Sequence, residues 1–186
     1  MYETFITFRN SITGFLYRNI LKKIFFRRDP EEVHDHMSNA GEWLGKSLFM
    51  RKMTSWFFGY HHPSLEQNIL GIHFRNPVGL SAGFDKNARL TDILPSVGFG
   101  FAELGSITGE PCAGNPKPRL WRLPKSKSLV VYYGLKNDGC EAISRRLRGK
   151  KFSIPCGISI AKTNSPETCA LEAGVQDYAK AFRHFL

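Results

Sequence analysis

Hydrophobic positions in the first part of the chain recur at helical spacing. Phe5, Phe8, Ile12, Phe15, Leu16, Ile20 and Ile24 share one face of a helix over Phe5–Phe26, with Arg9, Arg18, Lys22 and Lys23 between them. Gly14 costs such a helix about 1 kcal/mol and marks where it would break. A second helix opens at Asp29: Asp29 is the expected N-cap, Pro30 takes the first helical position, and Glu32 completes a capping box. Glu31 and Glu32 also suit the positive helix start. Val33, Met37, Ala40 and Leu44 form its apolar face, and Gly45 is its expected stop. The aromatic patch Trp56, Phe57, Phe58 and Tyr60 follows. These helices either floor a pocket for an apolar ligand or pack on each other, and the pattern alone fits both.

From Leu65 the pattern changes to short runs. Residues 65–77 predict two short strands with Gly71 between them. Val78–Ala82, Phe99–Leu104 and Cys156–Ala161 each predict a fully buried strand. Between the first two, residues 87–98 predict a helix with Leu90, Ile93, Leu94 and Val97 as its stripe, although Pro95 leaves its end open. Residues 141–148 predict another helix before the third strand, and one more begins at Gly174. This alternation specifies an α/β fold with parallel strands.

Composition narrows the picture. With 186 residues, 42% hydrophobic and 23% charged, the chain is globular and long enough for one domain with a core. Arg9, Arg18 and Lys22-Lys23 interrupt every apolar run long enough to span a membrane. No signal-peptide pattern is present. The aromatic face and basic flanks of Phe5–Phe26 instead suit an anionic membrane surface, with packing on the protein's own core as the alternative. Cys112, Cys140, Cys156 and Cys169 contain no C-x-x-C pair, which argues against structural zinc or a disulfide framework and fits a reducing compartment. His34/His36 and His61/His62 lack the H-E-x-x-H spacing, so no metal is expected. Residues 117–162 hold 12 Lys/Arg against Asp138 and Glu141, equal to the whole net charge of +10. That block fits either an anionic partner or a surface neutralised from elsewhere. It carries no nucleic-acid motif.

In parallel α/β folds ligands meet the carboxyl ends of strands. Here those ends read Ser81-Ala82-Gly83-Phe84-Asp85-Lys86, Gly105-Ser106-Ile107-Thr108 and Ser159-Ile160-Ala161-Lys162. Small residues let something flat approach the backbone, and Lys86 and Lys162 add cations, so the three ends predict an anion-friendly site. Asp85 has no evident chemical role. No G-x-G-x-x-G or P-loop motif supports a Rossmann or nucleotide site.

The stretches NPVGLSAGFDKNA, GFGFAELGSITGEPCAGNPKPRLWRL, YYGLKNDG and RRDPEEVHDHM together resemble quinone-dependent, membrane-associated dihydroorotate dehydrogenases. The resemblance runs from about Arg28 to the end. It implies the N-terminal portion of a (β/α)8 TIM barrel preceded by an amphipathic helical pair, with residues 1–62 as membrane-facing quinone-access helices and 63–186 as the first part of the barrel. It implies FMN as cofactor, oxidation of dihydroorotate to orotate in pyrimidine synthesis, a quinone acceptor, and a peripheral place on the cytoplasmic face of the cell membrane. It supplies no nucleic-acid partner. Carried over residue by residue, Ala82, Gly83, Phe84, Asp85, Lys86, Ser106 and Ser159 would contact FMN. Lys86, Val131, Tyr132, Tyr133, Gly134, Leu135 and Asn137 would serve the substrate. Val131 and Ser159 stand where the family commonly has asparagine, and Asn137 offers a nearby amide. A complete barrel takes about 250 residues. Residues 63–186 show three barrel strands, so the resemblance implies half a site, an isolated fragment without activity, and a serine base in later segments. Two rivals stand beside this reading: a fumarate- or NAD-linked FMN barrel oxidoreductase, which the DPEE helix and its aromatic extension oppose, and a non-catalytic basic module for membrane or nucleic acid.

Overall fold

The computed structural model describes residues 2–186. Helix α1 (Tyr2–Leu16), a π-helical turn (Tyr17–Leu21) and α2 (Lys22–Phe25) follow without interruption. The irregularity therefore falls just after the expected break at Gly14. Asp29 caps α3 (Pro30–Gly45) as its sequence position predicts: its Oδ1 accepts from Glu31 N at 2.8 Å and Glu32 N at 3.1 Å. Among the described residues the Glu32 carboxylate does not return the capping-box bond. Ser47 accepts from Met50 N and starts α4 (Leu48–Phe58), so most of the aromatic patch forms a helix of its own and the segment holds more than two helices.

Arg9, one of the charges set between the apolar positions, is buried and donates to Trp56 O at 2.8 Å and Gly59 O at 2.9 Å. Carbonyls in a helix's last turn have no partner within the helix, and the guanidinium supplies one. Phe8 and Phe15 from the predicted apolar stripe are 65% and 59% exposed, so that stripe is not core packing. Among the described residues no helix is long and apolar enough to cross a membrane.

β1 (Gln67–Ile69) and β2 (Ile72–Phe74) form an antiparallel hairpin around Leu70-Gly71. Both turn residues have positive φ, 51° and 79°, as a two-residue hairpin turn of matching twist requires. The parallel sheet has the order β3 (Gly79–Leu80), β4 (Phe101–Ile107), β7 (Cys156–Ile160). The predicted strands are thus present, with the first shortened and the second shifted toward Ile107. Only β4, the middle strand, has fully buried residues, including Leu104 and Ile107; β3 and β7 are half-buried.

Between β3 and β4 the predicted helix is absent. Residues 91–93 form turns that lead into a 3₁₀ turn at Leu94–Val97. The Asp85 carboxylate accepts from the backbone N of Arg89 and Leu90, at 2.9 and 2.8 Å, and Pro95 and Gly98 at φ 101° end the segment. Leu90, Ile93 and Leu94 still enter the core, but Val97 does not. Between β4 and β7 lie an antiparallel hairpin, β5 (Leu120–Leu123) with β6 (Ser128–Val131), and α5 (Cys140–Leu147). After β7 comes α6 (Leu171–Arg183). The core gathers Leu90 and Leu94 from the turn segment, Leu104 and Ile107 from β4, Ile143 from α5 and Ala181 from α6.

Candidate functional site

A cleft of about 900 Å³ opens above the ends of β3 and β4. Its floor is the loop after β3, with Gly83, Phe84 and Lys86, together with Ser106 at the end of β4. The loop is held by Gly83 N donating to Gly105 O at 2.6 Å and Gly105 N donating to Asp85 O at 3.1 Å. Gly83 has φ 100°, and a side chain built there would meet nothing within 4 Å. The backbone at this point is therefore bare and approachable. Val33 and Met37 of α3 line one wall, and Leu120, Leu129 and Val131 of the hairpin line another. Tyr133, Gly134, Leu135 and Lys136 close the end, with Arg122, Asn115 and Tyr17 at the rim. The lining is mainly apolar with a few convergent polar groups, the usual make-up of a small-molecule site.

Lys86 Nζ stands 4.1 Å from the centre of the Tyr133 ring. Among the described residues Lys86 has no ion pair or hydrogen bond, and burial lowers its pKa. Burial pushes the Tyr133 phenol up to about 12, and its buried hydroxyl has no partner among the described residues. A side chamber of about 240 Å³ adjoins the cleft and shares Lys86, Phe84, His34, Tyr133 and Lys136 with it. His34 Nε2 lies 3.0 Å from Phe84 O, and the two rings meet edge to face at 4.9 Å, tying α3 to the floor loop.

Behind this end of the cleft lies a charge cluster. Glu31, 2% exposed, receives Arg119 Nε at 3.0 Å and Nη2 at 2.8 Å, with Lys136 and Lys117 at 3.4 and 3.5 Å. The Arg119 fork holds the Glu31 carboxyl down at about 2. Part of the basic block is thereby neutralised from a distant segment. Lys150 similarly reaches Asp92 at 2.8 Å.

The structure thus brings together Gly83, Phe84, Lys86, Ser106, Val131, Tyr132, Tyr133, Gly134 and Leu135. Ala82 and Ser159 do not line the cleft, although the Ser159 hydroxyl is 2.7 Å from that of Ser106. Asp85 borders only the side chamber, and its carboxylate is spent on the turn. Val131 ends strand β6, opposite Leu120, rather than lying in a loop. Asn137 is buried: its amide donates to Thr108 Oγ1 and Leu135 O and accepts from Thr108 N and Gly139 N. It holds the loop, with no amide valence left for a ligand. Lys162 is not part of an anion site, because Nζ donates to Thr168 O and Oγ1 at 2.9 and 3.1 Å beneath Gly174. Sequence reasoning missed Glu31, His34, Arg119 and Arg122. The hairpin carrying Arg122 had a signal, two apolar runs separated by Pro124–Lys127, but nothing local marks Glu31 or Arg119 as partners.

The sequence pattern that defines the dihydroorotate dehydrogenases matches residues 64–186. A dihydroorotate dehydrogenase (quinone) of Gloeobacter violaceus is 40% identical over 167 residues, covering 90% of this chain and 46% of that protein. One from Corynebacterium glutamicum is 39% identical over 160 residues, covering 86% and 42%. The crystal structure of ligand-free DHODH from Eimeria tenella superposes with a TM-score of 0.59 at 32% identity, over 80% of this chain and 42% of that one. The chain spans about half the length of the curated relatives it matches.

Proposed function

This chain belongs to the dihydroorotate dehydrogenase family, and from that premise we propose that it supplies one side of the active site of a quinone-linked dihydroorotate dehydrogenase. The single observation carrying this reading is Lys86, a half-buried lysine at a strand end that has no ion pair among the described residues, above a bare Gly83 backbone and beneath an apolar mouth. In this reading the three parallel strands begin a (β/α)8 barrel, and residues 63–186 are its first part.

The residues present fit a flavin mononucleotide. A flat ring needs an approachable backbone, which Gly83 gives, and polar contacts at its edge, which Ser106 and Lys86 give. Bound there, the flavin would accept hydride from dihydroorotate and pass electrons to a quinone. The chain's own residues bind and orient. Lys86, left without a counter-ion among the described residues, would attract the substrate carboxylate and stabilise negative charge arriving beside it. The Tyr133 ring holds that ammonium at 4.1 Å. Tyr132, Gly134 and Leu135 shape the substrate end, and Val33, Met37, Leu120 and Leu129 give an apolar approach suited to a quinone. Residues 1–62, with their exposed aromatic and aliphatic side chains between basic ones, would lie on the cytoplasmic face of an anionic membrane.

Titration of the purified chain with FMN, followed by quenching of flavin fluorescence, tests the site. Saturable binding that weakens in Lys86→Met is expected, and absence of binding by the wild-type chain refutes the reading. Co-sedimentation with anionic vesicles should fall when residues 1–28 are removed; unchanged binding refutes the membrane part.

A further inference from the structure

Glu31 belongs to the N-terminal helices, yet it reaches the strand-end lysine through a continuous series of contacts. Both of its carboxylate oxygens are held by the Arg119 fork, at 2.8 and 3.0 Å. Arg119 Nη1 also donates to Ala113 O at 2.8 Å and Asn115 O at 2.7 Å. Four bonds therefore fix the plane of the guanidinium, which is itself buried. Its Cζ stands 5.1 Å from the Tyr133 ring centre, and Lys86 Nζ stands 4.1 Å from the same centre. Two cations near one ring repel each other. The buried Glu31 carboxylate neutralises the arginine and so lets the ring accept the lysine as well. Burial is the largest influence on Lys86; among charges Asp35 favours its ammonium and Lys136 opposes it most, and Glu31 and Arg119 act behind them in the same two senses.

We infer that Glu31 is a positioning residue for Lys86: acting through Arg119 and Tyr133, it sets where the lysine ammonium stands in the cleft. This rests on the proposed role of Lys86 and deepens it, because it makes the N-terminal helices a working part of the site rather than only an approach to it. A plain staple between α3 and the loop carrying Arg119 would leave Lys86 in place when cut.

The two roles separate in an NMR measurement on the chain without ligands, labelled with ¹³C-lysine. The Lys86 ε-methylene resonance is identified by its disappearance in Lys86→Arg. An ammonium held over an aromatic ring carries an upfield ring-current shift. That shift is expected in the wild-type chain, kept in Tyr133→Phe and lost in Tyr133→Leu. It is also expected to be lost in Glu31→Gln while the other lysine resonances stay in place. If Glu31→Gln does not fold, Arg119→Lys, which keeps the charge but not the fork, gives the same readout. An upfield Lys86 signal that persists in either folded variant overturns the inference, as does its absence from the wild type. Failure of FMN binding would sink the functional reading and leave this measurement intact, so the two failures are distinguishable.

Discussion

Replacing Glu31 by glutamine removes the one anion that Arg119, Lys117 and Lys136 share. Arg119 then stays buried with its charge facing two backbone carbonyls and the Tyr133 ring but no carboxylate in contact. Removing one member of a buried ion pair costs about 3–5 kcal/mol. The titration of Glu31 gives an independent figure. Its carboxyl falls from 4.5 to about 2, a drop of 4.5 − 2 = 2.5, chiefly because Arg119 hydrogen-bonds it. At about 1.36 kcal/mol per unit this is about 3 kcal/mol. The two agree, and together they are a large share of the 5–15 kcal/mol of a typical domain. The sign follows from the depressed folded-state value. The contribution is complete above about pH 4.5, where the unfolded carboxyl is also ionised, and it is lost as the pH falls toward 2. Urea unfolding followed by tryptophan fluorescence, on wild type and Glu31→Gln, reads it directly. The stability gap should be about 3 kcal/mol at neutral pH and shrink steadily below pH 4.5. Because the pair is buried, moderate salt should change the gap little. A gap below about 1 kcal/mol at neutral pH, or one that does not change in acid, would refute the reasoning.

Leu104→Ala empties the centre of the core and should cost about 2–5 kcal/mol in the same assay, without altering the vesicle binding assigned to residues 1–62. Gly105→Ala places a methyl 2.6 Å from Ser159 O and 2.8 Å from Ile107 N, at a φ of 108°; the expected result is a lower melting temperature together with lost FMN binding. Arg9→Met leaves Trp56 O and Gly59 O without their donor, so hydrogen exchange should quicken in the last turn of α4 while β4 stays protected. Tyr133 should ionise near pH 12 in an ultraviolet titration, and Tyr133→Phe should remove that step. Because its folded-state value is raised, the chain loses stability as pH climbs from about 10 toward 12.

What could be read from sequence was local. Asp29 and Pro30 mark a helix start because cap, first-turn residue and partner amides lie within four positions. The three strands are legible as apolar runs, and Lys86 as the residue where one of them stops. The failures share a cause in competition from elsewhere. Residues 87–98 do carry a helical stripe, and Leu90, Ile93 and Leu94 are buried as that stripe requires. The Asp85 carboxylate captures two of the amides a helix would start from, and the chain turns instead. Arg9 looks like one more charge between apolar positions until α4, which needs a donor, packs beside it. Lys162 looks like a ligand cation until Thr168 offers it a carbonyl. The Glu31–Arg119 pair lies beyond any window-based reading, since charged residues are usually exposed and the two are 88 positions apart.

That separation has a consequence for the order in which the protein can assemble on the ribosome. Arg9 finds both of its carbonyl partners within 50 residues, so everything needed to dock α1 on α4 exists once residue 59 has been made. Glu31 waits for Arg119, 88 residues later. At synthesis rates of about 5–20 residues per second the delay is roughly 4–18 s. Through that interval the nascent helices carry an uncompensated carboxylate and an uncovered apolar wall of the future cleft. It is a window in which that wall stays open to other contacts until Arg119 and the β5–β6 hairpin have been made.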